Sequence, residues 1–227
     1  MDEAAPPVTW KVYYSDLPFS ALFGYVRNNK LQTNTVAMSA DDSHNQLLLD
    51  AASGNLPQVA YVDPAFGGEA ENDEHPPTNI QKGQAFTAKI IDAIMSGPAW
   101  PSTVILLTYD EHGGYFDHVP PPPACVPDAI PPSLNGNDVQ AAFDNYGVRV
   151  PVVAVSPFSK RAFVSHTVYD HTSILRFIET RFDLPALTAR DANADPMLDL
   201  FDFANPPYAT PPRLPAATID PTHIECP

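Results

Sequence analysis

The run Thr103–Tyr109 (TVILLTY) constrains the fold most. It is almost continuously apolar, too short for a typical helix, and breaks at once into Asp110-Glu111-His112-Gly113-Gly114. An unalternating run of this length reads as a strand covered on both faces. Such strands belong to sheets packed between helices, and parallel neighbours need a crossover to join them. The chain supplies both parts. Val8–Tyr14 (VTWKVYY) and Leu56–Val62 (LPQVAYV) are rich in β-branched and aromatic residues and stop at Ser15-Asp16 and Asp63-Pro64. Val148–Val155 (VRVPVVAV) is a fourth strand, which Pro151 places at an edge or a bulge. From Asn79 to Met95, Ile80, Phe86, Ile90 and Ile94 recur at near-helical spacing behind Thr78 or Asn79 as a cap. Thr172–Arg181 turns Ile174, Leu175, Phe177 and Ile178 inward behind Asp170, and residues 18–50 hold further helix-like pieces. The pattern predicts an α/β fold with a mostly parallel sheet flanked by helices.

Composition sets the scale. In 227 residues, 44% hydrophobic, there is material for one sizeable core, so the chain reads as a single domain over residues 1–227. The 27 prolines cluster between periodic segments and read as rigid surface loops. Residues 185–227 form a Pro-rich, irregular tail expected to wrap the surface. Twelve Lys and Arg against 27 Asp and Glu give a formal charge of −15. On average that field repels a nucleic acid or an anionic lipid, which argues against nucleic acid as a partner. Cys125 and Cys226 can bridge only if their loops meet, and no CxxC spacing points to zinc or redox chemistry. No apolar run is long enough to span a bilayer. The opening MDEAAPP has neither the basic nor the apolar part of an export signal, so the chain is either cytoplasmic or begins downstream of a longer protein's start.

The densest polar cluster is Thr108–His118 (TYDEHGGYFDH). Ligands of open α/β sheets bind beyond the carboxyl ends of strands, where Asp110 and Glu111 stand. Adjacent carboxylates on irregular backbone can face one point and suit a hard divalent cation; the nearby imidazoles widen the choice towards manganese, iron or zinc. A solvated acidic turn is the equal alternative. In Glu71–Pro77 (ENDEHPP), His75 is a candidate to bind an anion or donate a proton, set against an ordinary surface histidine. Asp117-His118 reads as a carboxylate–imidazole pair supporting the metal ligands, or as neighbours that satisfy a loop. Asp63, before Pro64, is a candidate or a plain turn starter. His171, at a helix start, reads as structural; His44, His166 and His223 have no partner that sequence names. The Val119–Pro123 run (VPPPP) reads as a rigid rim or a spacer. The chain has no GxSxG, Walker A, GxGxxG or HExxH, which removes the main support for serine-hydrolase, nucleotide-binding and zincin readings.

At these residues the chain resembles the bacterial phosphoesterase family that contains the phosphatidylcholine-hydrolysing phospholipases C and related acid phosphatases. The matching stretches are LPQVAYVDPAF, NDEHPPTNIQKGQAF, TVILLTYDEHGGYFDHVPPP, GVRVPVVAVSPF and YDHTSILRFIETRFDLPAL, in the family's order between Trp10 and Phe203. The resemblance implies an alkaline-phosphatase-like fold and metal-dependent cleavage of phosphate esters, with a phospholipid headgroup as one substrate class. It implies one divalent metal, calcium, manganese, iron or zinc, on Asp110 and Glu111. It further implies that His75 and His118 act in catalysis, with Asp117 as an outer partner or phosphate contact; Asp63 is a candidate for the same role from its own position before Pro64. It also implies a secreted or periplasmic setting. The family's other ligands, a Glu-Asn pair in an ENRSFDH-like segment, and its Ser or Thr nucleophile precede the matching region, and no such segment occurs in residues 1–227. The chain thus resembles the C-terminal portion of the catalytic domain, without the N-terminal part of the fold or a nucleophile, and is expected to be poorly active alone. The competing expectations are a non-catalytic, ligand-binding remnant and a structural Pro-rich module.

Overall fold

The computed structural model describes residues 1–138, 142–220 and 222. The chain divides into two compact units, one formed by Met1–Thr103 with the segment from Tyr208 onward, the other by Val104–Pro207.

In the first unit β1 (Trp10–Tyr14) is the central strand of a three-stranded parallel sheet, between β2 (Thr35–Ala37) and β3 (Val59–Asp63). Trp10 pairs with Val59, Tyr14 with Asp63, and Val12 with Thr35. Parallel pairing demands crossovers, which α1 (Gly24–Asn29) and α2 (Gln46–Ser53) supply, and α3 (Ile80–Ser96) follows β3. The caps are local and explicit. Asn45 accepts the N–H groups of Leu47 and Leu48 at 3.1 and 3.3 Å, and Asn79 accepts that of Gln81 at 3.0 Å. Val12, Tyr13, Leu47, Ala51, Ile90, Ile94, Met95 and Trp100 are buried in this unit. A Cβ at Gly97 would overlap the Ala51 carbonyl oxygen, so the end of α3 meets α2 only because position 97 has no side chain. Trp100 Nε1 donates to the Tyr208 carbonyl at 3.1 Å and holds the returning C-terminal segment.

One buried polar group ties α2 to β1. The Asp50 carboxylate accepts Lys11 Nζ and Gln46 Nε2, each at 2.8 Å, and the hydroxyl of fully buried Tyr13. Burial works to raise the Asp50 pKa, but the Lys11, Tyr13 and Gln46 donors outweigh it and hold the carboxyl below its usual range.

In the second unit β4 (Ile105–Thr108) pairs antiparallel with β5 (Val152–Val155), Ile105 opposite Val155 and Thr108 opposite Val152. This corrects the reading of Thr103–Tyr109 as a doubly covered strand of one parallel sheet. All four β4 residues are only half-buried, and β4 belongs to a different sheet from β3. An apolar run reports burial in general but not its partner strand, and a Pro-rich return satisfies the ladder as well as a crossover does. Pro151 falls just outside β5, its carbonyl accepting the Thr108 hydroxyl at 3.1 Å.

Helix α4 (His171–Phe182) opens on a capping box between Asp170 and Ser173, and α5 (Ala189–Asn193) on one between Thr188 and Asp191. Residues 185–203 therefore do more than wrap the surface: Asp191, Met197 and Phe201 are buried, and Phe201 packs between Phe177 at 5.6 Å and Phe203 at 5.4 Å. Among the described residues no helix is long and apolar enough to cross a membrane. Cys125 is exposed; Cys226 and His223 lie outside the described residues.

Asp191 provides a pH signature for this unit. Burial works to raise its pKa, but the Thr188 hydroxyl, the Leu187 N–H and Glu179 outweigh it and hold it at about 2, against an ordinary 3.8. Its contribution is therefore fully present above pH 3.8 and lost as pH falls towards 2, amounting to about 2 kcal/mol. Burial and Asp191 push the pKa of neighbouring Glu179 the other way, above its ordinary range. Denaturant titrations between pH 5 and 2 are expected to show this loss in wild type and its absence in Asp191→Asn.

Candidate active site

In the first unit the carboxyl ends of β1 and β3 carry Asp16 and Asp63. Asp63 Oδ2 accepts the Phe19 N–H at 2.8 Å; Asp16 Oδ2 accepts the Phe66 N–H at 2.8 Å, and its Oδ1 accepts that of Leu17 at 2.6 Å. Each acid thus reaches into the loop that follows the other strand, and the two loops are latched reciprocally. Burial, helped by the charge of Asp16, pushes the Asp63 pKa up against the opposing Phe19 N–H. Asp63 was legible in the sequence as a candidate; Asp16 read only as a strand terminator. The signal that could have found it is that both acids close paired parallel strands.

The sign of the shift at Asp63 gives a test. The folded state holds this proton more tightly than the unfolded state, so the contribution is present at low pH and lost as pH rises above 3.8. Asp63→Asn keeps an acceptor for Phe19 and removes the charge. It is expected to raise Tm modestly at pH 7, with the gain shrinking towards pH 4; thermal melts across that range check it.

His75 lies on the loop between β3 and α3. Its backbone N–H donates to Asp73 Oδ1 at 3.0 Å, and its Nδ1 lies 2.8 Å from the Pro76 carbonyl. A carbonyl can only accept, so Nδ1 carries the proton and Nε2 is the basic nitrogen. The loop rests on α3 at Gly83, where a Cβ would come within 2.8 Å of the Asn72 carbonyl and overlap the Glu74 side chain. Gly83 is thus a positioning residue that the sequence reading passed over as one more helix residue.

In the second unit Asp110 and Glu111 follow β4 at its carboxyl end, both exposed. Asp110 Oδ1 accepts the Glu111 N–H at 3.0 Å, and Glu111 Oε2 accepts the Gly113 N–H at 2.8 Å. Gly113 and Gly114 sit at φ 63° and 76°, left-handed values that glycine adopts without penalty. His112 Nδ1 closes the turn on the Tyr115 carbonyl at 2.7 Å. The acidic pair is therefore presented on a folded turn. His171, from the first turn of α4, places Nε2 2.8 Å from the Tyr109 carbonyl, directly before Asp110.

Asp117 has a different partner from the one expected. Arg149 grips its carboxylate through Nε at 2.7 Å and Nη2 at 2.8 Å, and the Val119 N–H adds a third bond at 3.1 Å. The guanidinium holds Asp117 well below the usual carboxylate range. His118 Nδ1 is 3.8 Å away with its ring exposed, beyond hydrogen-bonding distance. A planar guanidinium offers two parallel donors and a permanent charge, which an imidazole does not. Arg149 was missed because it lies 32 residues away, in a stretch read as strand.

The structure thus groups Asp110, Glu111, Asp117 and His118 in the second unit, and Asp63 and His75 in the first. Two adjacent carboxylates offer hard oxygen donors that fit a divalent cation in kind. Among the described residues no three His, Cys, Asp or Glu side chains gather into a group that could hold a metal ion. A cleft of about 340 Å³ lined by Val8, Trp10, Asn34 and Pro57 lies at the amino ends of β1 and β3, the wrong edge for a sheet ligand.

A model of the Phosphoesterase family matches residues 4–185. Phospholipase C B of Mycobacterium tuberculosis is 33% identical over 232 residues, covering 91% of this chain and 43% of that protein. Non-hemolytic phospholipase C of Pseudomonas aeruginosa is 31% identical over 93% of this chain and 34% of its own length. Non-specific phospholipase C6 of Arabidopsis thaliana is 30% identical over 88% and 40%. The chain spans less than half the length of these relatives.

Proposed function

This chain belongs to the phosphoesterase family, and we propose that it carries the metal-facing part of a phosphoester hydrolase whose substrate is a phospholipid headgroup. The observation that supports this best is the Asp110–Glu111 pair, presented on its glycine turn at the end of β4. A divalent ion on that pair would supply positive charge to the phosphoryl oxygens. Around it, the chain's own groups hold and orient. The His171 contact fixes the backbone before Asp110, and the Arg149–Asp117 pair fixes the far side of the turn. His118, with its ring exposed, is suited to contact a phosphate oxygen. In the first unit, His75 holds its Nδ1–H on the Pro76 carbonyl, and a proton-transfer role for it rests on the family resemblance alone. No nucleophile is assigned in this chain, so its turnover alone is expected to be slow.

The test is hydrolysis of phosphatidylcholine and of a soluble phosphorylcholine ester, with divalent ions or with chelator. Slow release that divalent ions stimulate and chelator abolishes supports the reading. Release indifferent to chelator contradicts the metal, and phosphorylcholine binding without release favours a ligand-binding remnant.

A further inference from the structure

From Asn145 to Tyr169 the chain contains Arg149, Lys160, Arg161 and His166 but no Asp or Glu, in a protein of formal charge −15. Within this stretch the loop after β5 exposes Phe163 at 42%, Val164 at 75% and Val168 at 61%. Lys160, Arg161 and His166 are exposed beside them, and Lys160 Nζ lies 4.8 Å from the centre of the Phe163 ring. These side chains are not a fraying tip. Ser159 Oγ donates to the Ala154 carbonyl at 2.8 Å, the Lys160 N–H to the Leu200 carbonyl at 3.0 Å, and Ser165 Oγ to Asp199 Oδ2 at 2.6 Å. The Tyr169 hydroxyl donates to the other Asp199 oxygen. Two acids thus stand at the base of the loop, both engaged: Asp199 by Ser165 and Tyr169, and Asp202, whose own N–H donates to the Phe158 carbonyl, by the Ala204 and Asn205 N–H groups at 3.1 and 2.9 Å.

Loop 160–168 thus joins protruding apolar side chains to a cationic rim, on backbone that is already paid for by internal hydrogen bonds. An apolar tip gains by entering the acyl boundary of a bilayer, and each nearby cation gains from anionic headgroups. We infer that this loop docks the protein on an anionic phospholipid surface. The average field of the chain repels such a surface, so docking is orientational, through the cationic rim of this loop. The loop ends at Asp170-His171, and His171 holds the carbonyl preceding Asp110, so the docking loop and the acidic pair share one support. The inference rests on the reading that the substrate is presented in a lipid surface, but it concerns binding alone.

The test is flotation of the full chain with vesicles of phosphatidylcholine, alone or mixed with phosphatidylserine. Wild type is expected to bind the mixed vesicles more tightly, and to release as salt rises. Lys160→Gln and Arg161→Gln are each expected to weaken that binding about fivefold at low salt, and Phe163→Ser with Val164→Ser about tenfold or more. Circular dichroism melts are expected to match wild type for Lys160→Gln and for Phe163→Ser with Val164→Ser, whose side chains are exposed; the Arg161 guanidinium also donates to the Pro207 carbonyl, so Arg161→Gln is compared at matched folded fraction. Failure of the folded wild type to bind, no preference for the anionic vesicles, or unchanged binding by all the variants overturns the inference. Hydrolysis of the soluble ester without vesicle binding defeats docking and leaves the phosphoesterase reading standing; binding without hydrolysis does the reverse.

Discussion

Asp50→Ala is expected to destabilise the first unit by about 3–5 kcal/mol, enough to unfold much of a marginally stable protein. The carboxylate is the acceptor for three donors, one of them the hydroxyl of Tyr13, which has no exposure to solvent. Removing it leaves that hydroxyl buried without its acceptor and the Lys11 ammonium without its counterion. A buried donor so orphaned costs about 1–3 kcal/mol, and the lost ion pair adds to it. Asp50→Asn retains an acceptor oxygen and gives up the charge, so its cost is expected to be roughly half as large. Urea denaturation followed by circular dichroism checks both, and a cost below about 1 kcal/mol for Asp50→Ala would mean that water replaces the carboxylate.

Asp110→Asn is expected to lower metal-stimulated phosphoester hydrolysis at least about 100-fold, equivalent to about 2.7 kcal/mol of transition-state stabilisation. The physical reason is narrow. Asparagine can still accept the Glu111 N–H, so the turn with Gly113 and Gly114 survives. What disappears is one of two adjacent negative charges that would hold a cation. A fold-preserving variant that loses rate therefore reports on charge, not on structure. Added divalent ion in excess is expected to restore part of the rate, as lost affinity allows. Steady-state rates across a metal titration, with matched melting curves, check this.

Signals confined to a few neighbouring residues were legible in the sequence. Asn79 and Asp170 cap α3 and α4 as read, because a cap is a bond from a side chain to a backbone two or three residues on. Four strands were found within a few residues of their observed ends, and the α/β class followed from their alternation with helices; β2, three residues long, lay in the stretch read as helix-like pieces and was missed. Pairing was another matter. β4 meets β5 across the long Pro-rich segment, and no local pattern distinguishes that antiparallel partner from a parallel one. The same separation hid Arg149 from Asp117 and the reciprocal latch of Asp16 and Asp63. The acidic pair was visible for the opposite reason: Asp110, Glu111 and the glycines that shape their turn are contiguous, so the whole device lies within one short stretch.

Divalent metal retained per chain, measured by elemental mass spectrometry on wild type and Asp110→Asn, tests the central claim most directly, since it needs no choice of substrate. The account predicts that wild type, equilibrated with manganese or calcium and then desalted, retains metal that Asp110→Asn does not. Equal metal in both proteins, or none in either, would contradict the placement of the ion on the Asp110–Glu111 pair of this chain.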